Sequence, residues 1–132
     1  MPSIDTNVLV RLLMRDDEAQ HARAQRLIRD NLAAGDGVFV PITVALELEW
    51  VLRSRFALDK RALLRTFSQL LSTVELRFEA PAAVEWALRQ YKDAATDFSD
   101  CLHAAMAGQA GEKPLWTFDK AAAKVDGAQL LT

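Results

Sequence analysis

The chain has 132 residues, a length that suits one domain with a sizeable core. Its 18 acidic and 16 basic residues leave a formal net charge of −2, so bulk charge selects no polyanionic partner and only its distribution can. The one cysteine, Cys101, excludes an internal disulfide. No apolar run reaches the ~20 residues that span a bilayer, and Asp5 and Arg11 break the N-terminal apolar stretch too early for a secretory signal. The expected location is the cytoplasm, with no membrane partner.

In chain order, Ser3–Ile4–Asp5 reads as a short strand that ends on a carboxylate. Asp16 or Asp17 caps a helix whose apolar stripe is Ala24, Leu27, Ile28 and Leu32, with Gly35 just past its end. "GVFVP" reads as a buried strand stopped by Pro41. Thr43 is expected to cap the next helix, which runs to about Phe56. Asp59 caps another, with Leu63, Leu64, Phe67, Leu70 and Leu71 at helical spacing. "TVELRF" is a strand, Pro81 suits the first turn of a helix, and a helix through Cys101 ends near Gly108. "PLWTF" is a strand, "DKAAAK" a short helix and "AQLLT" a final strand. Strands alternating with helices predict an α/β domain with a mostly parallel sheet. In such sheets ligands gather beyond the carboxyl ends of the strands, where Asp5 and Asp119 stand.

The acids have ordinary readings as well as chemical ones. Asp5 after a strand suits an Asx-turn, and so does Asn7. In the helix from Thr43, Glu47 and Glu49 flank the arc of Val44, Leu48, Val51 and Leu52 on opposite sides, and periodicity does not choose between them. Leu46 and Trp50 form a second apolar stripe, so the helix either lies between other helices or offers one face to another chain, and core burial is the expectation. Asp97 and Asp100 share a helix face, where like charges repel unless a cation offsets them. Alternatively, Asp97 caps the helix and Asp100 sits in its first turn. Asp119 before "KAAAK" has the pattern of an N-cap. Taken together, acids on four segments meeting at one sheet edge cannot all stay ionised without a cation. Oxygen-only donors select Mg²⁺ or Mn²⁺. Neither a Cys/His cluster for zinc nor a Gly-rich phosphate loop is present. Carboxylate-held Mg²⁺ equips a protein for attack by activated water on a phosphodiester.

The stretches "IDTNVLVRLL", "ELEWVL", "DFSDCLHAA" and "WTFDKAAAK" occur in the order and at the spacing seen in PIN-domain proteins. From residue 3 to the C-terminus the chain resembles most the VapC-type toxins of bacterial toxin–antitoxin pairs. The resemblance implies a five-stranded parallel sheet with helices on both sides and a Mg²⁺-dependent endoribonuclease, and it leaves open whether Mn²⁺ substitutes. It implies that Asp5 is the principal metal ligand and that Glu47 is the second acid, since E-L-x-W-V-L matches from Glu47 and not from Glu49. Asp100 is the third, binding metal with Asp5, and Asp119 the fourth. Asn7 and Thr117 orient the site by hydrogen bonds, and Asp97 is a supporting acid. A metal-activated water, held by Glu47 and Asp119, attacks in line and leaves a 5′-phosphate and a 3′-hydroxyl. A VapB-type antitoxin and a homodimer are implied as partners.

An acidic site needs a basic border to attract RNA. Arg11 and Arg15 start nearest Asp5, whereas Arg23, Arg26 and Arg29 read as a solvated helix face. Three rival readings have distinct signatures. A metal-free ribonuclease needs two histidines, and His21, expected to be exposed among charges, and His103 are the only two. A signalling receiver domain needs an Asp pair after the first strand and an acceptor Asp after the third, which the chain lacks. A catalytically inactive PIN-like binding module acts through protein–protein contacts alone.

Overall fold

Asp5 ends the first extended stretch and opens the first helix. Its Oδ1 accepts the Val8 N–H at 3.2 Å and so caps α1, Thr6–Met14. Thr6, Asn7 and Val8 are weak helix formers. The cap and the burial of Thr6, Leu9 and Val10 supply what propensity does not.

The computed structural model describes residues Met1–Thr132, in two compact units, Met1–Glu79 and Ala80–Thr132. In the first, α1 is followed by α2, Glu18–Ala33, β1, Val38–Val40, α3, Ile42–Ser54, α4, Lys60–Leu71, and β2, Leu76–Phe78. Asp17 and Asp59 cap α2 and α4 by accepting the Gln20 and Ala62 N–H groups at 3.0 and 2.8 Å. β1 and β2 pair in parallel, Val38 opposite Leu76 and Val40 opposite Phe78. Ser3 forms a parallel bridge to Phe39 on the other edge of β1. The Phe39 N–H donates to Pro2 O at 2.8 Å, and the Ile4 N–H to Phe39 O at 3.0 Å. Val38, Val40, Leu48, Leu52, Leu63 and Phe67 fill the core of this unit.

Three sequence expectations change here. Thr43 does not cap α3, because the helix already starts at Ile42 behind the extended Pro41. The Ile42 N–H is taken instead by Glu79 Oε1 at 2.8 Å, so a distant carboxylate does the work of a local cap. The second apolar stripe of α3 is not core, since Trp50 stays 55 % exposed. His21 is not exposed but 5 % accessible, because α2 packs on α1 and turns it inward with Ala24. Its Nδ1 donates to the Arg11 carbonyl at 2.8 Å, and its Nε2 meets no partner. His21→Ala therefore removes both packing and the donor to Arg11 O, with an expected loss of about 2–3 kcal/mol in urea denaturation. His21→Asn, whose amide N–H stands in for Nδ1–H, is expected to lose about half as much.

In the second unit, α5, Pro81–Asp93, begins with its proline in the first turn as the sequence predicts. It packs on α6, Phe98–Gln109, through the edge-on pair Tyr91 and Phe98, with ring centroids 5.6 Å apart. Val84, Ala87, Cys101 and Leu102 are buried in the same unit. β3, Leu115–Thr117, and β4, Ala128–Leu130, pair in parallel. The predicted "DKAAAK" helix shrinks to a 3₁₀ turn at Ala122–Lys124.

The architecture is mixed α/β with parallel strands. In place of one five-stranded sheet, the strands pair two by two, β1 with β2 and β3 with β4. Each strand has only three residues, so ladder hydrogen bonds are few and the helices carry most of the core. No helix is long and apolar enough to cross a membrane.

Candidate active site

In the first unit, the residue that links two of the candidate acids is Thr6. It is 4 % exposed, comes directly after Asp5 in the chain, and donates through Oγ1 to Glu47 Oε1. This bond ties the start of α1 to the middle of α3 and holds Glu47 at the end of α1 that Asp5 caps. Glu49 is turned the other way. It is 2 % exposed, and its Oε2 accepts Arg53 Nε at 2.8 Å, one helical turn on. The two glutamates that helical periodicity leaves equivalent thus have different fates. Glu49 is buried against Arg53, and Glu47 is solvent-exposed on a threonine hydroxyl.

Asn7, also exposed, stands on the rim of a groove of about 370 Å³ between α1 and α2 that Val8, Arg11, Gln20, Arg23, Ala24 and Leu27 complete. Arg11 donates from Nε to Gln20 Oε1 at 2.6 Å and pairs with Asp16 at 3.2 Å, and Arg15 pairs with Glu18 at 3.2 Å. Ion pairs this exposed contribute little and exchange readily for a phosphate.

In the second unit, Asp100 lies in the first turn of α6 and its Oδ2 accepts the Thr96 hydroxyl. Asp97 occupies the N-cap position of α6, but its side chain makes no capping bond and stays exposed. Asp119 comes after β3 and behaves as the cap its sequence suggests. Its Oδ1 accepts the Ala121 and Ala122 N–H groups at 2.8 and 3.0 Å, and its own N–H donates to Thr117 Oγ1 at 3.0 Å.

Each of the four acids therefore has one carboxylate oxygen engaged by a protein donor and one that meets none: Oδ2 of Asp5, Oε2 of Glu47, Oδ1 of Asp100 and Oδ2 of Asp119. An all-carboxylate donor set of this kind suits Mg²⁺ or Mn²⁺ better than zinc, which favours Cys and His. Within neither unit do three or more acidic, His or Cys side chains gather to the spacing of a metal centre. The first unit supplies Asp5 and Glu47, and the second Asp100 and Asp119. Sequence reasoning missed Thr6 and Thr96. Thr96 lies just ahead of the helix that carries Asp100, and its hydroxyl reaches back to that carboxylate across the helix start.

The family model for the PIN domain matches residues 3–128, a span that takes in all four acids. The chain belongs to the PIN-domain family. No individual curated protein matches it significantly. PIN domains are generally nucleases that act on RNA or DNA and use divalent metal ions. In this PIN domain the histidine-based alternative fails, because His21 is buried with its Nδ1 committed to Arg11 O. A general acid must reach the proton it transfers, and an imidazole so enclosed reaches no substrate.

Proposed function

We propose that this PIN domain is a Mg²⁺-dependent endoribonuclease, the toxin of a VapBC-type pair, with residues 1–132 acting as one nuclease domain in the cytoplasm. The observation that carries the reading is the family match over residues 3–128, a span that contains Asp5, Glu47, Asp100 and Asp119, each with one uncommitted oxygen. On this reading all four acids take part in cation-dependent hydrolysis. Asp5 and Asp100 hold the cation, while Glu47 and Asp119 hold and orient the attacking water. Asn7 and Thr117 steady the site by hydrogen bonds, and Asp97 adds negative charge beside Asp100. The cation, when bound, supplies Lewis-acid activation of water and charge neutralisation at the phosphodiester. Arg11 and Arg15 exchange their local carboxylates for RNA phosphates. A VapB-type antitoxin and a second copy of the chain belong to the same reading, and exposed Trp50 on α3 supports a protein contact.

The test is incubation of the purified protein with RNA. Cleavage is expected with Mg²⁺ or Mn²⁺, is lost in EDTA and returns with excess Mg²⁺, and the new ends carry a 5′-phosphate and a 3′-hydroxyl. Cleavage that survives EDTA, or ends carrying cyclic phosphate, refutes the mechanism.

A further inference from the structure

Exposure alternates along β3 and the residue after it. Leu115 and Thr117 are half-buried, whereas Trp116 is 53 % and Phe118 80 % exposed. Alternate residues of an extended run share a face, so both rings stand on the solvent side of the β3–β4 pair. Trp116 lies opposite Gln129, also exposed, and the N–H of exposed Leu131 donates to the Thr117 carbonyl at 2.8 Å. Two large aromatic side chains left in water on one face mark a binding surface. Its surroundings say what covers it. Asp119, the next residue after Phe118, is one of the acids proposed to act in hydrolysis, and its N–H donates to Thr117 Oγ1 at 3.0 Å. Lys120 and Lys124 follow, both exposed and neither paired with a carboxylate. From residue 115 to 125 the one acid set against them is Asp119. Protein interfaces are depleted of lysine. A nucleic-acid strand, by contrast, needs cations for its phosphates and flat rings for its bases.

We propose that Trp116 and Phe118 form a stacking surface for unpaired nucleobases of RNA, and that Lys120 and Lys124 hold phosphates of the same strand. The surface lies wholly within the second unit. It deepens the nuclease reading, on which its place beside Asp119 rests. Bases inside a duplex hide their faces against their neighbours, so only unpaired nucleotides can stack on side chains. Every base has a π-face, and stacking therefore tolerates any sequence. The two rings thus select open strands over paired ones, without selecting one base.

The experiment measures binding in EDTA, where the full chain is expected to hold RNA without cutting it. Its readout is the fluorescence anisotropy of a short dye-labelled single strand and of the same strand in a duplex. Trp116→Ala and Phe118→Ala are each expected to weaken single-strand binding about tenfold and to leave duplex binding within about twofold. Trp116→Phe keeps a flat ring and is expected to bind nearly as wild type. Trp116→Leu keeps apolar surface without a ring and is expected to bind as the alanine variant does. Lys120→Gln weakens both ligands and lowers the salt slope for the single strand by about 0.7. Both rings are exposed, so their removal opens no cavity, and circular dichroism verifies each fold. Folded alanine variants that bind the single strand as wild type does overturn the inference, and so does a leucine variant that binds as well as the phenylalanine one. An alanine variant that changes oligomeric state in sedimentation but not RNA affinity also overturns it, and makes the face an interface between copies. Cleavage in Mg²⁺, assayed separately on wild type, decides the nuclease reading. A wild type that cuts RNA and whose alanine variants bind unchanged leaves that reading standing without the stacking surface.

Discussion

Asp5→Asn is expected to lower RNA cleavage by about a hundredfold or more while leaving the fold in place. Asparagine keeps the oxygen that accepts the Val8 N–H, and Asn and Asp are nearly equivalent as helix caps. What the substitution removes is the negative charge on the oxygen that meets no protein donor. Asp5→Ala removes the cap as well, and its expected additional cost is about 1 kcal/mol in urea denaturation. The pair of variants separates the two roles of one side chain. If the asparagine variant cleaves at the wild-type initial rate in Mg²⁺, Asp5 holds no cation that matters to the reaction.

The largest effect on stability is expected from Phe98→Ala, at about 3–5 kcal/mol. Phe98 is fully buried, begins α6 and meets the edge of Tyr91 on α5. Its removal leaves a ring-sized void beside Tyr91, where the two helices of the second unit join. Phe98→Leu retains most of the volume and is expected to cost about 1 kcal/mol. Equal urea midpoints for the alanine and wild-type proteins would contradict the packing described for α5 and α6.

The parts of this fold that depend on near neighbours were readable from the residues alone. Asp17, Asp59 and Asp119 cap the turns that begin beside them, and Pro81 opens α5, because those bonds are made within three residues. The alternation of helices and strands came from hydrophobic spacing. Where the deciding partner is remote, the sequence was silent. Nothing near Glu47 distinguishes it from Glu49, and the difference lies with Thr6, on another helix. The charged neighbours of His21 suggested exposure, but α1 covers it and offers the Arg11 carbonyl. The first helix was hidden because its opening residues favour extended chain, and only the Asp5 cap and burial against α2 and α3 overcome that preference. The motifs singled out four acids as candidates. They did not show that each has one oxygen already committed.

The central place of β1 has a consequence for how the chain reaches its native state. Both of its flanks are occupied by segments remote in sequence, residues 2–4 on one side and β2 on the other, and each pairing encloses a long helical excursion. Loop-closure entropy makes such contacts late, whereas β3 and β4 meet across the shorter connection of residues 118–127. Until Phe78 has been laid down, Val38–Val40 keeps a naked apolar border, and that interval is when the growing polypeptide is most open to self-association.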